Sequence, residues 1–358
     1  MANVIRQPCD EGIIRSEEAR APCAKRAGPF VLAATILGSS LAFIDETAAT
    51  VALPAIQKGL GATAVDAQWV VEAYTLLLAA LVLMEPMMPL SLFRSRNFAG
   101  ANAFTLLFYF ALGGTLFFLP LNLIQVQGYS AIAAGAAIVP AILILSLLSR
   151  YTGSLTDRYG ARFPLVLGPT IAAVGFALFA LPGLKSGSYW ITFFPAAVVL
   201  GVGLSLQAPA VTTVALNSVK ASHSGLASAI NNAFSQTAGL LAIAVLGVLM
   251  FATFDANLDD RLATLELSPA TRQQLEEERI KLGAAEAPES LDAVQGATVD
   301  RAIDEAYVAG YRTVMLVAAA MSLASAVSAA LLIEGKRSEG AEAAPGEEEA
   351  VHRVLTQT

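Results

Sequence analysis

Charge is scarce in this chain of 358 residues: 14% of them are charged, against roughly 25% in an average soluble domain. That excludes an ordinary water-soluble enzyme. The scarcity is local, because the stretch from Phe98 to Phe254 contains only Arg150, Asp157, Arg158, Arg162, Lys185 and Lys220. Such a core would aggregate in water and suits a bilayer. Basic residues are the minority, 22 against 29 acidic, for a net charge of −7. No clustered basic face results, so nucleic acid is set aside as a partner. The two cysteines, Cys9 and Cys23, both lie in the polar N-terminal stretch and imply no disulfide framework. The two histidines, His223 and His352, have no Cys, His or acidic partner at ligand spacing, so no metal site is expected. No H-E-x-x-H string and no recognisable Ser, His and Asp spacing occurs. The chain is therefore not expected to be an enzyme or to hold a cofactor.

What the sequence has in abundance is apolar runs. A hydrocarbon core of about 30 Å needs about 20 apolar residues of helix. On that ruler eight spans are expected: Phe30–Leu53, Trp69–Met84, Phe98–Pro120, Ala131–Leu148, Phe163–Leu184, Tyr189–Thr212, Leu226–Phe254 and Tyr307–Ile333. The fold class is all-α, a polytopic membrane protein with lipid as its first partner. Residues 1–29 read as a cytoplasmic tail rather than a cleavable signal, since Asp10, Glu11, Glu17 and Glu18 interrupt them. Residues 30–84 hold two spans, 85–97 form a cytoplasmic junction, and 98–333 hold six spans. Lys and Arg in the short connections place both termini on the cytoplasmic side of the membrane. The connection 255–306, with 13 acidic and five basic residues, then lies outside. Within it, Ser268 and Pro269 predict an N-cap and a surface helix over Ala270–Leu282, and Thr298 is expected to cap the helix entering the last span. The tail 334–358 reads as disordered.

Two places put ionisable groups where they are expensive. Asp45, Glu46 and Thr47, with Thr50, sit in the first span. A carboxylate at membrane depth costs at least about 2.5 kcal/mol and should face a cavity or a partner; there it can exchange a proton or bind a cation. The alternative is that either acid sits near the outer end of the span and reaches water. The second place is the short inner stretch Gly153-Ser-Leu-Thr-Asp157-Arg158-Tyr-Gly160-Ala-Arg162. Its glycines permit a tight turn with positive φ, and Asp157 can cap a helix or pair with Arg158 or Arg162. It suits a conformational latch, or else an ordinary positively charged loop.

Gly153 to Leu165 matches the pattern G-x-L-x-D-R-x-G-x-R-x-x-L, and on it the chain resembles the major facilitator superfamily. Asp45-x-Thr47 with Ala52-Leu53-Pro54, and Gln68-Trp69-Val70-Val71 with Tyr74, are similar to the first two helices of its fourteen-helix drug:proton antiporter branch. Glu85 to Arg94 with Phe98 to Asn102 resembles the approach to the ninth helix, and Ser224 to Asn232 with Gly239 the thirteenth. The resemblance implies one complete six-helix half over 98–333 carrying two helices of the other half, with helices three to eight lacking. It implies proton-coupled efflux of a small hydrophobic or cationic substrate, driven by the proton gradient. Asp45, Glu46, Thr47, Thr50, Tyr74, Gln207, Asn231, Asn232 and Gln236 would form the proton or substrate site, and Gly153, Asp157, Arg158, Gly160 and Arg162 the cytoplasmic gate loop. Asn102, Gln207, Asn231, Asn232 and Gln236 would line a central cavity with Phe108, Tyr109 and Phe110, or else hydrogen-bond helix to helix. Thr50 stands where Asn is usual. The other reading of a shortened chain is a non-transporting membrane protein, possible in association with full-length relatives as an interaction partner.

Overall fold

The computed structural model describes residues 90–334 except 185–186, 220–222, 266, 286 and 289, together with Ala73. The two expected spans within 30–84 lie outside the described residues. A short 3₁₀ turn, Leu90–Arg94, leads into α1 (Arg96–Gln125), where the Ser95 hydroxyl accepts from the Phe98 amide. α2 (Ala131–Ala136) and α3 (Val139–Tyr159) divide what the sequence presents as one span. The break falls at Ala137–Ile138, ahead of Pro140, whose ring opposes continuation of the preceding helix. α4 (Arg162–Phe179) follows. α5 (Tyr189–Thr192) and α6 (Phe194–Asn217) are separated at Phe193, again just before a proline, Pro195.

α7 (Ser224–Leu262) and α9 (Ala293–Leu332) are far longer than their expected spans. At 39 residues α7 runs about 58 Å, roughly twice the hydrocarbon thickness. Both therefore carry helix well past the membrane, and much of the expected outer loop 255–306 is helical extension. Between them lies α8 (Pro269–Glu278), with Ser268 accepting from the Thr271 amide as its N-cap. Thr298 is not the cap of α9. That role falls to Asp292, whose carboxylate accepts from the amides of Val294 and Gln295 at 2.9 and 2.7 Å, a full turn and more before the apolar run begins.

Six of these stretches are long and apolar enough to cross a membrane, α2 and α3 counting together. α4 and α9 pack against each other at the back; α6 lies on α4, α3 on α6, and α1 and α7 on α9. Glycines set the closest approach. A Cβ on Gly203 would lie 2.7 Å from the Gly168 carbonyl oxygen and from the Ala172 nitrogen, and one on Gly175 2.8 Å from the Leu200 nitrogen. With lipid tails as apolar as leucine, such close backbone contact is what holds α4 to α6. The outward side chains are apolar: Leu116, Leu147, Val174, Val248, Leu323 and Leu331 are all exposed. The protein is thus a polytopic helical membrane protein.

A charged clasp organises the cap that the extensions of α7 and α9 form with α8. Arg279, just after α8, pairs with Asp255 and Asp259 on α7 and, at 2.9 Å, with Glu276. The hydrogen bond that the guanidinium donates to Asp259, against the opposing effect of burial, and then the one it donates to Asp255 push its pKa further up. The acidic partners are 38% to 66% exposed, so the clasp contributes no more than about 1 kcal/mol. Arg279→Gln is accordingly expected to leave the thermal stability of the bundle nearly unchanged while cleavage within 263–292 by added trypsin speeds up several-fold. Equal cleavage rates would show that α8 is held by packing alone.

Candidate functional site

α6 and α7 touch only lightly, and the cleft between them is floored by α1. It opens at the end of the bundle where α6 stops and α7 starts. The cavity there has a volume of about 490 Å³, within the range of drug-sized sites. α7 supplies Gly225, Ser228, Asn232 and Ser235, which recur at helical spacing on one face; α6 supplies Thr212, Ala215 and Leu216, and α1 supplies Tyr109. One turn further along, α1 and α7 close on each other at Gly113 and Gly239, where a Cβ on Gly113 would stand 2.8 Å from the Gly239 Cα.

The adjacent asparagines of α7 have different tasks. Asn231 donates to the Thr105 hydroxyl at 2.8 Å and to the side-chain Oδ1 of Asn102 at 3.3 Å, while the Asn102 side-chain amide donates to the Phe98 backbone carbonyl at 2.9 Å. Asn102 and Thr105 are buried, so this is a helix-to-helix junction between α1 and α7 at the rear of the cavity. Asn232, one residue on and so about 100° round the helix, is exposed to the cavity. Its oxygen takes a long contact from Ser235 at 3.5 Å. Among the described residues the Asn232 amide nitrogen, the Ser228 hydroxyl and the Tyr109 hydroxyl make no hydrogen bond within the protein.

Of the residues expected in one cavity, the structure brings Tyr109, Asn231 and Asn232 together. Gln207 is elsewhere: it is buried, and its Cβ packs beside Gly168 on the α4 side of α6. Gln236 is half-buried and does not line the cavity, and Phe108 is buried against Phe104 and Phe176. Asp45, Glu46, Thr47, Thr50 and Tyr74 lie outside the described residues. Thr212 and Ser235 were not singled out by the sequence, although Ser228, Asn232 and Ser235 at positions i, i+4 and i+7 form a readable polar stripe. Thr105 has the same signal, three residues after Asn102.

The segment Gly153–Arg162 is mostly not a loop. Helix α3 continues to Tyr159, and the turn is confined to Gly160 and Ala161. Gly160 has φ 79°, which a side chain disfavours, whereas Gly153 is helical with nothing within 4 Å of a Cβ. The side chain of Asp157 lies outside the described set. The Arg158 guanidinium sits 5.4 Å from the Tyr159 ring centre. Arg162 donates to the Ala330 carbonyl and Arg96 to that of Leu331, so two cations cover the negative end of the α9 dipole. Gly153→Ala is expected to be neutral or to stabilise by up to about 1 kcal/mol, as in a helix interior. Gly160→Ala should destabilise by roughly 1 kcal/mol, read as thermal midpoints in detergent. Destabilisation by both would place a turn at Gly153 after all.

A second cavity, of about 680 Å³, opens in the cap between the extensions of α7 and α9. There Arg261 and Arg301 share Glu305.

Residues 83–243 match the Major Facilitator Superfamily, a stretch that includes α1 to α6, the cavity-bearing start of α7 and the Gly153–Arg162 segment. The chain is 28% identical over 269 residues to the tetracenomycin C resistance and export protein of Streptomyces glaucescens, covering 74% of this chain and 48% of that protein. It is 30% identical over 192 residues to the multidrug resistance protein Stp of Mycobacterium tuberculosis, covering 54% and 35%. To the multidrug transporter protein MdtP of Bacillus subtilis it is 26% identical over 178 residues, covering 50% and 32%. The chain thus spans between about a third and a half of the length of these relatives.

Proposed function

We propose that the chain is a major facilitator type transporter that exports hydrophobic drugs across a bacterial inner membrane in exchange for protons, with both termini cytoplasmic. The observation that carries this reading is the uncharged cavity between α1, α6 and α7, set in a stretch that matches the superfamily. In this reading the cavity is one wall of the drug path, opening at the cytoplasmic end. Asp45 in the first span takes up and releases the proton, with Glu46, Thr47, Thr50 and Tyr74 beside it. The turn at Gly160 and its cations Arg158 and Arg162 form the gate segment, and helix movement there is transmitted to the end of α9 through Arg162. The chain descends from the fourteen-helix branch and lacks its helices three to eight. Transport by alternating access needs a second wall around such a site.

Right-side-out membrane vesicles energised by respiration and loaded with Nile red, an uncharged hydrophobic dye, provide the test. Dye extrusion that collapses on adding a protonophore is expected; extrusion equal to that of vesicles without the protein contradicts the reading. A second reading draws on the length difference from the relatives: a non-transporting chain that associates with full-length relatives. Co-purification with such a transporter, and no dye extrusion by the chain alone, would favour it.

A further inference from the structure

Resting on the proposed reading of the cavity as a drug site, we infer that it takes uncharged, planar, hydrogen-bonding aromatics, bearing hydroxyl or carbonyl groups, and discriminates against cations. Among the described residues all of its lining side chains are neutral: Tyr109, Thr212, Ser228, Asn231, Asn232 and Ser235 are polar, and the rest are Gly, Ala or Leu. A cation desolvated in the bundle without a carboxylate opposite it costs several kcal/mol. Aromatic faces that could substitute for a carboxylate are scarce too, since Tyr109 is the one aromatic among the lining residues.

The lining instead offers unspent hydrogen bonds of both kinds. The Asn232 amide is a donor, and the Ser228 and Tyr109 hydroxyls can donate or accept. Asn231 is spent on Thr105 and Asn102, so it holds the wall in place and leaves recognition to its neighbour. The shape agrees. Gly225, Ser228 and Ala229 keep the α7 side of the cavity low and flat, with Ala215 and Leu216 of α6 across from it. A flat ring system fits between two such surfaces, its polar substituents reaching Asn232 and Tyr109.

Full-length protein in nanodiscs is titrated with danthron, an uncharged planar dihydroxyanthraquinone, and with ethidium, a planar permanent cation, at mildly acidic pH. Danthron is expected to bind at least about tenfold more tightly than ethidium, and Asn232→Leu to weaken danthron about five- to tenfold, the loss of one hydrogen bond with its partner stranded. Tyr109→Phe, a milder change that keeps the ring, should weaken it about threefold. Asn232→Asp should raise ethidium affinity about tenfold by supplying the missing carboxylate. Ethidium binding to the unmodified protein as tightly as danthron, and sensitive to Asn232→Leu, would overturn the inference while leaving the cavity as the drug site. Binding of both probes with no response to any of the three substitutions would overturn the cavity's role itself, and with it the proposed reading.

Discussion

Gly203→Val is expected to destabilise the bundle strongly and to make it prone to aggregate. The α4 to α6 seam is backbone against backbone: a Cβ on Gly203 would lie 2.7 Å from the Gly168 oxygen and the Ala172 nitrogen and 2.8 Å from the Ala172 Cβ. No rotamer relieves contacts made by the Cβ itself, and the atoms it meets belong to a helix rather than to the end of a flexible side chain. The helices must separate along their whole contact, which includes Gly168 on Gln207 and Gly175 on Leu200. Overpacking in a dense core costs roughly 1–3 kcal/mol and sometimes more; a rigid backbone clash belongs at the top of that range. Against a total stability of about 5–15 kcal/mol, the loss should appear as aggregated protein on size-exclusion chromatography after extraction. Gly153→Ala, where nothing lies within 4 Å, is the matched control and should elute as the unmodified chain does. A monodisperse Gly203→Val protein with an unchanged thermal midpoint would contradict the packing of α4 on α6.

The second large effect is expected at the first span. Asp45→Asn should abolish proton movement coupled to drug, whereas Glu46→Gln should leave most of it. In the proposed first span, consecutive side chains would point about 100° apart, so the proposal assigns the exchangeable proton to one carboxyl, Asp45, and not to both. A carboxylate costing at least about 2.5 kcal/mol at depth is retained where it does work, and Asn keeps the shape and the hydrogen bonds while removing the exchangeable proton. Drug binding is therefore expected to persist in Asp45→Asn, measured with danthron as above. Unchanged coupling in Asp45→Asn with loss in Glu46→Gln would exchange the two roles.

The six spans within the described residues were legible because each is a charge-poor run of adequate length, and the breaks before Pro140 and Pro195 coincide with proline's own stereochemistry. Their ends were less legible. α7 and α9 continue as helices through charged sequence, where Asp255, Asp259, Arg261 and Arg301 make ion pairs across the cap, and a ruler of hydropathy stops where the membrane stops. The same bias drew attention to Thr298, beside the apolar run, rather than Asp292, at the real start of the helix. Gly153 and Gly160 look equivalent in sequence, yet one sits in a regular helix and the other has positive φ. In the cavity, type and spacing indicated which helices carry polar groups. Which face each group takes was decided by packing: Gln207 turns to the Gly168 seam, Asn231 lines the cavity but spends its amide on Thr105, and Asn232 faces the cavity with its amide nitrogen unspent.

The most direct measurement is the decay of an imposed pH gradient in proteoliposomes of the full chain when danthron is added. Decay that depends on danthron, weakens with Asn232→Leu and vanishes with Asp45→Asn is expected. No danthron-dependent decay from the unmodified protein, in a preparation that still binds danthron through Asn232, would contradict transport and leave a membrane protein that binds drug without moving it.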